Sequence, residues 1–89
     1  VIGLTKTAAL EYAAQGVRIN AVCPGVVETA MADRTFFYDK DITARIIAMH
    51  PMGRFGRPEE VASTVLWLCS ETASFITGHT HAVDGGFLI

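Results

Sequence analysis

The residues with the clearest chemical use lie together in Cys23-Pro24-Gly25-Val26-Val27-Glu28-Thr29. Pro24 has no amide hydrogen, so it ends a strand and turns the chain away from a sheet. Gly25 has no Cβ, which lets a flat ligand approach the backbone closely. Val27 can present its own N–H and C=O to an amide group, and Thr29 adds a hydroxyl that donates or accepts. Such a set suits a planar, amide-bearing molecule held at the end of a strand. The same residues also suit an ordinary tight turn, and residue types alone leave both readings open.

Other reactive side chains are weaker candidates. His79 and His81 fall on one face of a strand and could chelate a metal, but no acidic or cysteine partner lies near them in sequence, so a structural role is expected. Cys23 and Cys69 form no Cys-x-x-Cys pair, and two free, buried thiols of a reducing compartment are expected. Cys23 as a nucleophile would need a base that the sequence does not place. Arg18, between Val17 and Ile19, is expected to pair with a carboxylate, and Trp67 to serve packing.

These groups must be positioned by elements that the periodicity predicts. Residues 1–14 read as a helix with two apolar stripes, Val1-Leu4-Ala8-Tyr12 and Ile2-Ala9-Ala13, closed by Gly16. A helix so poor in charge is expected to be covered on more than one side. Val17–Val22 reads as a strand. Asp39 or Asp41 can cap a second helix bearing Ile42, Ile46 and Met49 on one face. Pro58 with Glu59 and Glu60 marks a third helix, whose stripes are Val61-Val65-Leu68 and Ala62-Leu66-Cys69. After a turn over 71–77, Thr80–Val83 reads as a second strand, stopped by Asp84-Gly85-Gly86.

Strands joined through a crossover helix must lie parallel in a right-handed βαβ unit, so the fold class is α/β. Parallel strands are normally buried on both faces, which two strands cannot achieve alone. Eighty-nine residues form at most a marginal core. The opening Val1 inside a helical pattern adds to the expectation of a piece of a longer chain. Composition agrees with a globular class: 51% of residues are hydrophobic, 18% are charged and the net charge is −2. No basic cluster suggests nucleic acid, no apolar run is long enough to span a membrane, and a cytoplasmic location is expected.

Four segments in order carry a resemblance. N-A-V-x-P-G-x-V-x-T over 20–29 resembles the nicotinamide-binding segment of the short-chain dehydrogenases/reductases. G-L-T-K-x-x-A-L-E over 3–11 resembles the helix after the catalytic tyrosine of that family. R-P-E-E-V-A over 57–62 and T-G-x-x-x-x-V-D-G-G over 77–86 complete the series.

The resemblance implies the C-terminal part of one doubly wound, parallel-sheet (Rossmann) domain over residues 1–89, with NAD or NADP as cofactor. It implies hydride transfer between that cofactor and a secondary alcohol or ketone. Pro24, Gly25, Val27 and Thr29 would hold the nicotinamide carboxamide, and residues 30–50 would form a substrate lid with Met31, Phe36, Phe37 and Tyr38 as pocket residues. For these lid residues, packing of the lid onto the body is an equal alternative. The catalytic Ser and Tyr-x-x-x-Lys of the family have no counterpart here: neither Tyr12 nor Tyr38 is followed by Lys four positions later. No catalytic residue is therefore named. The resemblance also implies a homo-oligomer, a tetramer before a dimer. Two other readings remain: a family-like module that binds or assembles without turnover, and a truncated fragment without activity.

Overall fold

The computed structural model describes residues 1–28 and 39–89. Helix α1 spans Ile2–Tyr12 and tightens into a 3-10 turn over Ala13–Gln15. Gly16 then takes a left-handed φ of 78°, which glycine adopts without steric cost, and reverses the chain. Strand β1 is Ala21–Pro24, helix α2 is Lys40–Ala48, helix α3 is Pro58–Leu68, and strand β2 is Thr80–Val83. The strands pair in parallel, Ala21 opposite Thr80 through Pro24 opposite Val83.

The ladder is displaced from the expected strand. Val17–Asn20 is extended but lies outside β1, because β2 is only four residues long and limits the ladder to four pairs. Before it, the chain is fastened by other means. Asn20 donates from Nδ2 to the Ile76 carbonyl at 3.1 Å and accepts from the His79 N–H at 3.0 Å, while the Gly78 N–H donates to the Ile19 carbonyl at 2.8 Å.

Pro24 closes β1 without a lost bond. The Ala21 and Gly25 amides donate to the carbonyls of His79, just before β2, and of Val83 within it. Alternate residues of a strand face alternate edges, so the amide position of Pro24 lies on the edge away from β2, where no N–H is needed.

The helix ends follow local chemistry. Asp39 caps α2, its carboxylate accepting from the Asp41 and Ile42 amides at 2.9 and 3.3 Å. Pro58 opens α3, and Glu60 reaches back to the Arg57 amide at 2.9 Å. The far end of α3 is closed by Arg18, which donates to the carbonyls of Leu68 at 2.7 Å and of Ser70 and Ile76 at 3.3 Å. Its partners are thus carbonyls and not the expected carboxylate. The last turn of a helix leaves carbonyls without internal partners, and a guanidinium satisfies several at once.

Burial is sparse. Among the described residues the buried apolar ones are Ala9, Ala21, Leu68 and Ala73. The accessible surface is 6507 Å², against about 5,100 Å² for a compact monomer of this mass. Helix α1 buries Thr5 and Ala9, half-buries Ala8 and leaves Leu4 and Leu10 exposed, so among the described residues it is covered on one side and not on two. On α3, Leu68 is buried while Leu66 and Cys69 face outward. Cys69 is therefore exposed, contrary to the buried thiol expected; Cys23 is half-buried, and both are free.

Candidate functional site

The segment after β1 is built against two neighbours. On one side stands β2: the Gly25 amide donates to the Val83 carbonyl at 3.0 Å, and the chain runs close past Asp84. A Cβ on Gly25 would lie 3.0 Å from Asp84 Cα and 3.1 Å from both Asp84 Cβ and His50 Nε2. The molecule's own packing thus favours glycine here, before any ligand approaches.

On the other side stands the turn before α3. The Gly56 amide donates to the Val26 carbonyl at 3.0 Å, and the Glu28 amide donates to the Gly56 carbonyl at 2.9 Å, a one-residue parallel bridge between Val27 and Gly56. In this arrangement the residues flanking Val27 bond Gly56, and the N–H and C=O of Val27 itself point to the opposite edge. Among the described residues neither makes a backbone hydrogen bond. A donor and an acceptor from one residue, side by side on an open edge, match the C=O and NH₂ of a primary carboxamide.

Glu60 sets Gly56 in place. Its carboxylate takes a two-pronged contact from Arg54, at 2.8 and 3.0 Å, and also accepts from the Arg57 amide. Gly56 lies between these two donors in the chain. The Arg54 hydrogen bonds, with the Arg57 amide, hold the Glu60 carboxyl down at about 2, while Glu60 raises Arg54. Sequence reasoning read Glu60 only as a helix-dipole residue. Its position three residues after the N-cap was the available signal for a contact back to the preceding turn.

His50 was not singled out from sequence either. It follows α2, is only 3% exposed, and uses both ring nitrogens. Nδ1 lies 2.8 Å from the Ile46 carbonyl, and Nε2 lies 3.4 Å from the Val26 N–H. A carbonyl demands a proton on Nδ1 and an amide demands a lone pair on Nε2, so the fitting form is the neutral Nδ1–H tautomer. The rings of Phe55 and Phe87 stand 6.4 and 5.3 Å away.

The structure therefore brings Pro24, Gly25 and Val27 together at the carboxyl end of β1, as expected, where ligands of open α/β sheets bind. Thr29, Met31, Phe36, Phe37 and Tyr38 lie outside the described residues. Of the lid expected over 30–50, residues 39–50 are described and hold α2. His79 and His81 do share a face, Nε2 to Nδ1 at 3.1 Å. Among the described residues no group of three or more metal-ligating side chains converges. Asn20, part of the same motif as Pro24 and Gly25, sits at the other end of the strand and serves the fold.

A family model described as Enoyl-(Acyl carrier protein) reductase matches residues 1–88. The chain belongs to the short-chain dehydrogenase/reductase family. It is 45% identical over 87 residues to 2,5-dichloro-2,5-cyclohexadiene-1,4-diol dehydrogenase of Sphingobium indicum, covering 98% of this chain and 35% of the relative. It is 44% identical to the inactive 2-(S)-hydroxypropyl-CoM dehydrogenase 2 of Xanthobacter autotrophicus, over 97% of this chain and 39% of that protein. Among solved short-chain dehydrogenases, 4-hydroxyisoleucine dehydrogenase complexed with NADH superposes with a TM-score of 0.91 at 35% identity, covering 97% of this chain and 35% of that one. An Agrobacterium tumefaciens structure with bound NADP reaches 0.93 at 37% identity, over 98% and 35%. The chain thus spans about a third of the length of the short-chain dehydrogenases it matches. Their Rossmann fold accounts for its parallel strands and its uncovered faces. No helix among the described residues is long and apolar enough to cross a membrane.

Proposed function

We propose that these residues are the C-terminal third of an NAD(P)-dependent oxidoreductase that moves hydride between the nicotinamide and a secondary alcohol or its ketone. In this reading residues 1–89 supply the nicotinamide-positioning loop, with Pro24, Gly25, Val27 and Thr29 at the carboxamide. On the same reading, residues 30–50 are proposed as the substrate lid, with Met31, Phe36, Phe37 and Tyr38 as its candidate pocket residues. The observation that carries it is Val27, whose N–H and C=O are turned outward by the bridge to Gly56. A carboxamide held at both ends cannot rotate about its bond to the ring, which fixes the face that gives or takes hydride. Orientation of this kind removes several kcal/mol from a barrier. NAD supplies hydride acceptance and NADP does the same; the residues that choose between them would lie outside this chain, as would the Ser, Tyr and Lys of the proton relay.

A homo-oligomer, a tetramer before a dimer, and a cytoplasmic location are part of the same reading and rest on the family resemblance. A second reading, binding without turnover, is favoured by one finding: an inactive relative is as similar over this stretch as an active one. The loop is compatible with both, because it positions the cofactor and does not react.

The test is a cofactor titration and a secondary-alcohol panel with the full-length protein. Binding with turnover supports the enzyme, binding without turnover the second reading, and no binding overturns both. Thr29→Ala should weaken NAD(P)H by about 0.5–1.5 kcal/mol, one neutral hydrogen bond, and leave ADP-ribose unaffected.

A further inference from the structure

We infer that His50 is a positioning residue of the nicotinamide loop, coupling α2 to the peptide that receives the carboxamide. The inference rests on the reading of Val27 given above and assigns a device that sets it. Val26 has two backbone groups, and both are tied: its C=O to Gly56 and its N–H to His50 Nε2. The peptide plane between Val26 and Val27 carries that C=O and the Val27 N–H, so holding Val26 on both sides aims Val27. Gly56 ties the two flanks of Val27, through the Val26 carbonyl and the Glu28 amide, and the imidazole adds a third tie, on the Val26 N–H.

His50 is suited to this by its own anchoring. Nδ1 donates to Ile46 in the last turn of α2, the His50 amide donates to the Ile47 carbonyl at 3.0 Å, and the Gly53 amide donates to the His50 carbonyl at 2.7 Å. The ring is thereby fixed to α2 and the following turn before it meets the loop. Gly25 lets the loop come this close, since any Cβ there would press on Nε2. A histidine serving only to fill space would leave one ring nitrogen unmatched or wet; here both face the complementary group in a buried setting. Because α2 lies within the expected lid, its docking and the aim of the carboxamide site would move together.

The inference is tested in the full-length protein with two ligands: whichever of NADH and NADPH it binds, and the matching ADP-ribose or its 2′-phosphate, which lacks nicotinamide. His50→Asn keeps a donor for Ile46 but does not reach Val26. His50→Gln extends an acceptor to Val26 without the ring. We expect His50→Asn to bind the reduced cofactor about tenfold more weakly with a lower kcat, and ADP-ribose within about twofold of the unaltered protein. His50→Gln should recover most of the lost cofactor affinity. Equal loss of both ligands, or cofactor affinity and kcat unchanged in His50→Asn, overturns the inference and leaves the oxidoreductase reading standing. If the unaltered protein binds neither reduced cofactor, that reading falls and this inference with it. His50→Leu, which removes both contacts, should show a larger selective loss than His50→Asn, and a smaller one counts against the inference.

Discussion

The two ends of the β1–β2 ladder are finished in opposite ways. At the entry end, Arg18, Ile19 and Asn20 reach 50 residues or more along the chain, and the groups they present meet partners within the molecule: Arg18 the carbonyls of Leu68, Ser70 and Ile76, Asn20 the backbone of Ile76 and His79. At the exit end, Gly25, Val26 and Glu28 are tied just as firmly, yet Val27 between them is turned outward with its amide and carbonyl unused by the described backbone. A closed polar network stabilises; a rigid network with one residue left open has the form the proposed carboxamide role of Val27 requires. The same short motif, which begins at Asn20, reaches both ends, so part of it holds the fold and part is the segment proposed to face the cofactor.

The sharpest break of this comparison separates the network from its surroundings. Residues 1–89 expressed alone should give no cooperative thermal melt and no measurable affinity for NADH or NADPH. The apolar side chains buried among the described residues are far too few to offset the chain's conformational entropy. The exit loop alone can offer a carboxamide only a few hydrogen bonds, worth about 1 kcal/mol each and less than the cost of association. A cooperative melt that moves upward with added NADH would show that the exit end forms a complete site without the rest of a Rossmann domain.

Next in size is Gly25. Gly25→Ala in the full-length protein places a methyl at 3.0–3.1 Å from Asp84 backbone and His50, an overpacking that should cost about 1–3 kcal/mol, and Gly25→Val more. Denaturant midpoints measure this without cofactor present. Loss of NAD(P)H binding with an unchanged midpoint would return Gly25 to a purely ligand-facing role.

Arg18→Ala attacks the entry end and should cost about 1.5–3 kcal/mol, the range for hydrogen bonds to a charged group. Cofactor affinity measured on the folded fraction should not change. A selective loss of cofactor affinity would mean that the two ends are energetically coupled, and would erase the distinction drawn between them.

Most of the fold was legible because local rules set it. The α2 cap, narrowed in sequence to Asp39 or Asp41, Pro58 at the start of α3, the left-handed Gly16 and β2 at Thr80–Val83 are all determined within a few residues. What was illegible depends on distant backbone. Carbonyls left over at the end of α3 do not show in a sequence, so Arg18 was assigned a carboxylate. The four-residue length of β2 decides where β1 begins, so Val17–Val22 was read as strand in place of Ala21–Pro24. His50 carried no motif, and its role appears only when α2 and the exit loop meet.

The smallest effect concerns the support beneath Gly56. Glu60 holds its carboxyl at about 2 through Arg54 and the Arg57 amide, below an ordinary value of 4.5. A carboxyl depressed by folding binds protons more readily in the unfolded chain. Its contribution is therefore fully present above about pH 4.5 and is lost as pH falls toward 2. The pair is partly exposed, with Arg54 and Glu60 side chains 46% and 31% accessible, so salt and water screen it and the effect on the melting temperature should be slight. Glu60→Gln removes the charge and preserves the shape. The difference in denaturant midpoint between Glu60→Gln and the unaltered full-length protein should be visible near neutral pH, shrink as pH is lowered through 4, and shrink likewise in high salt. If the loss at neutral pH appears in NAD(P)H affinity and not in stability, Glu60 belongs to the exit-end receptor through Gly56 and Val27, and the boundary between holding the fold and aiming the ligand moves outward by one layer of residues.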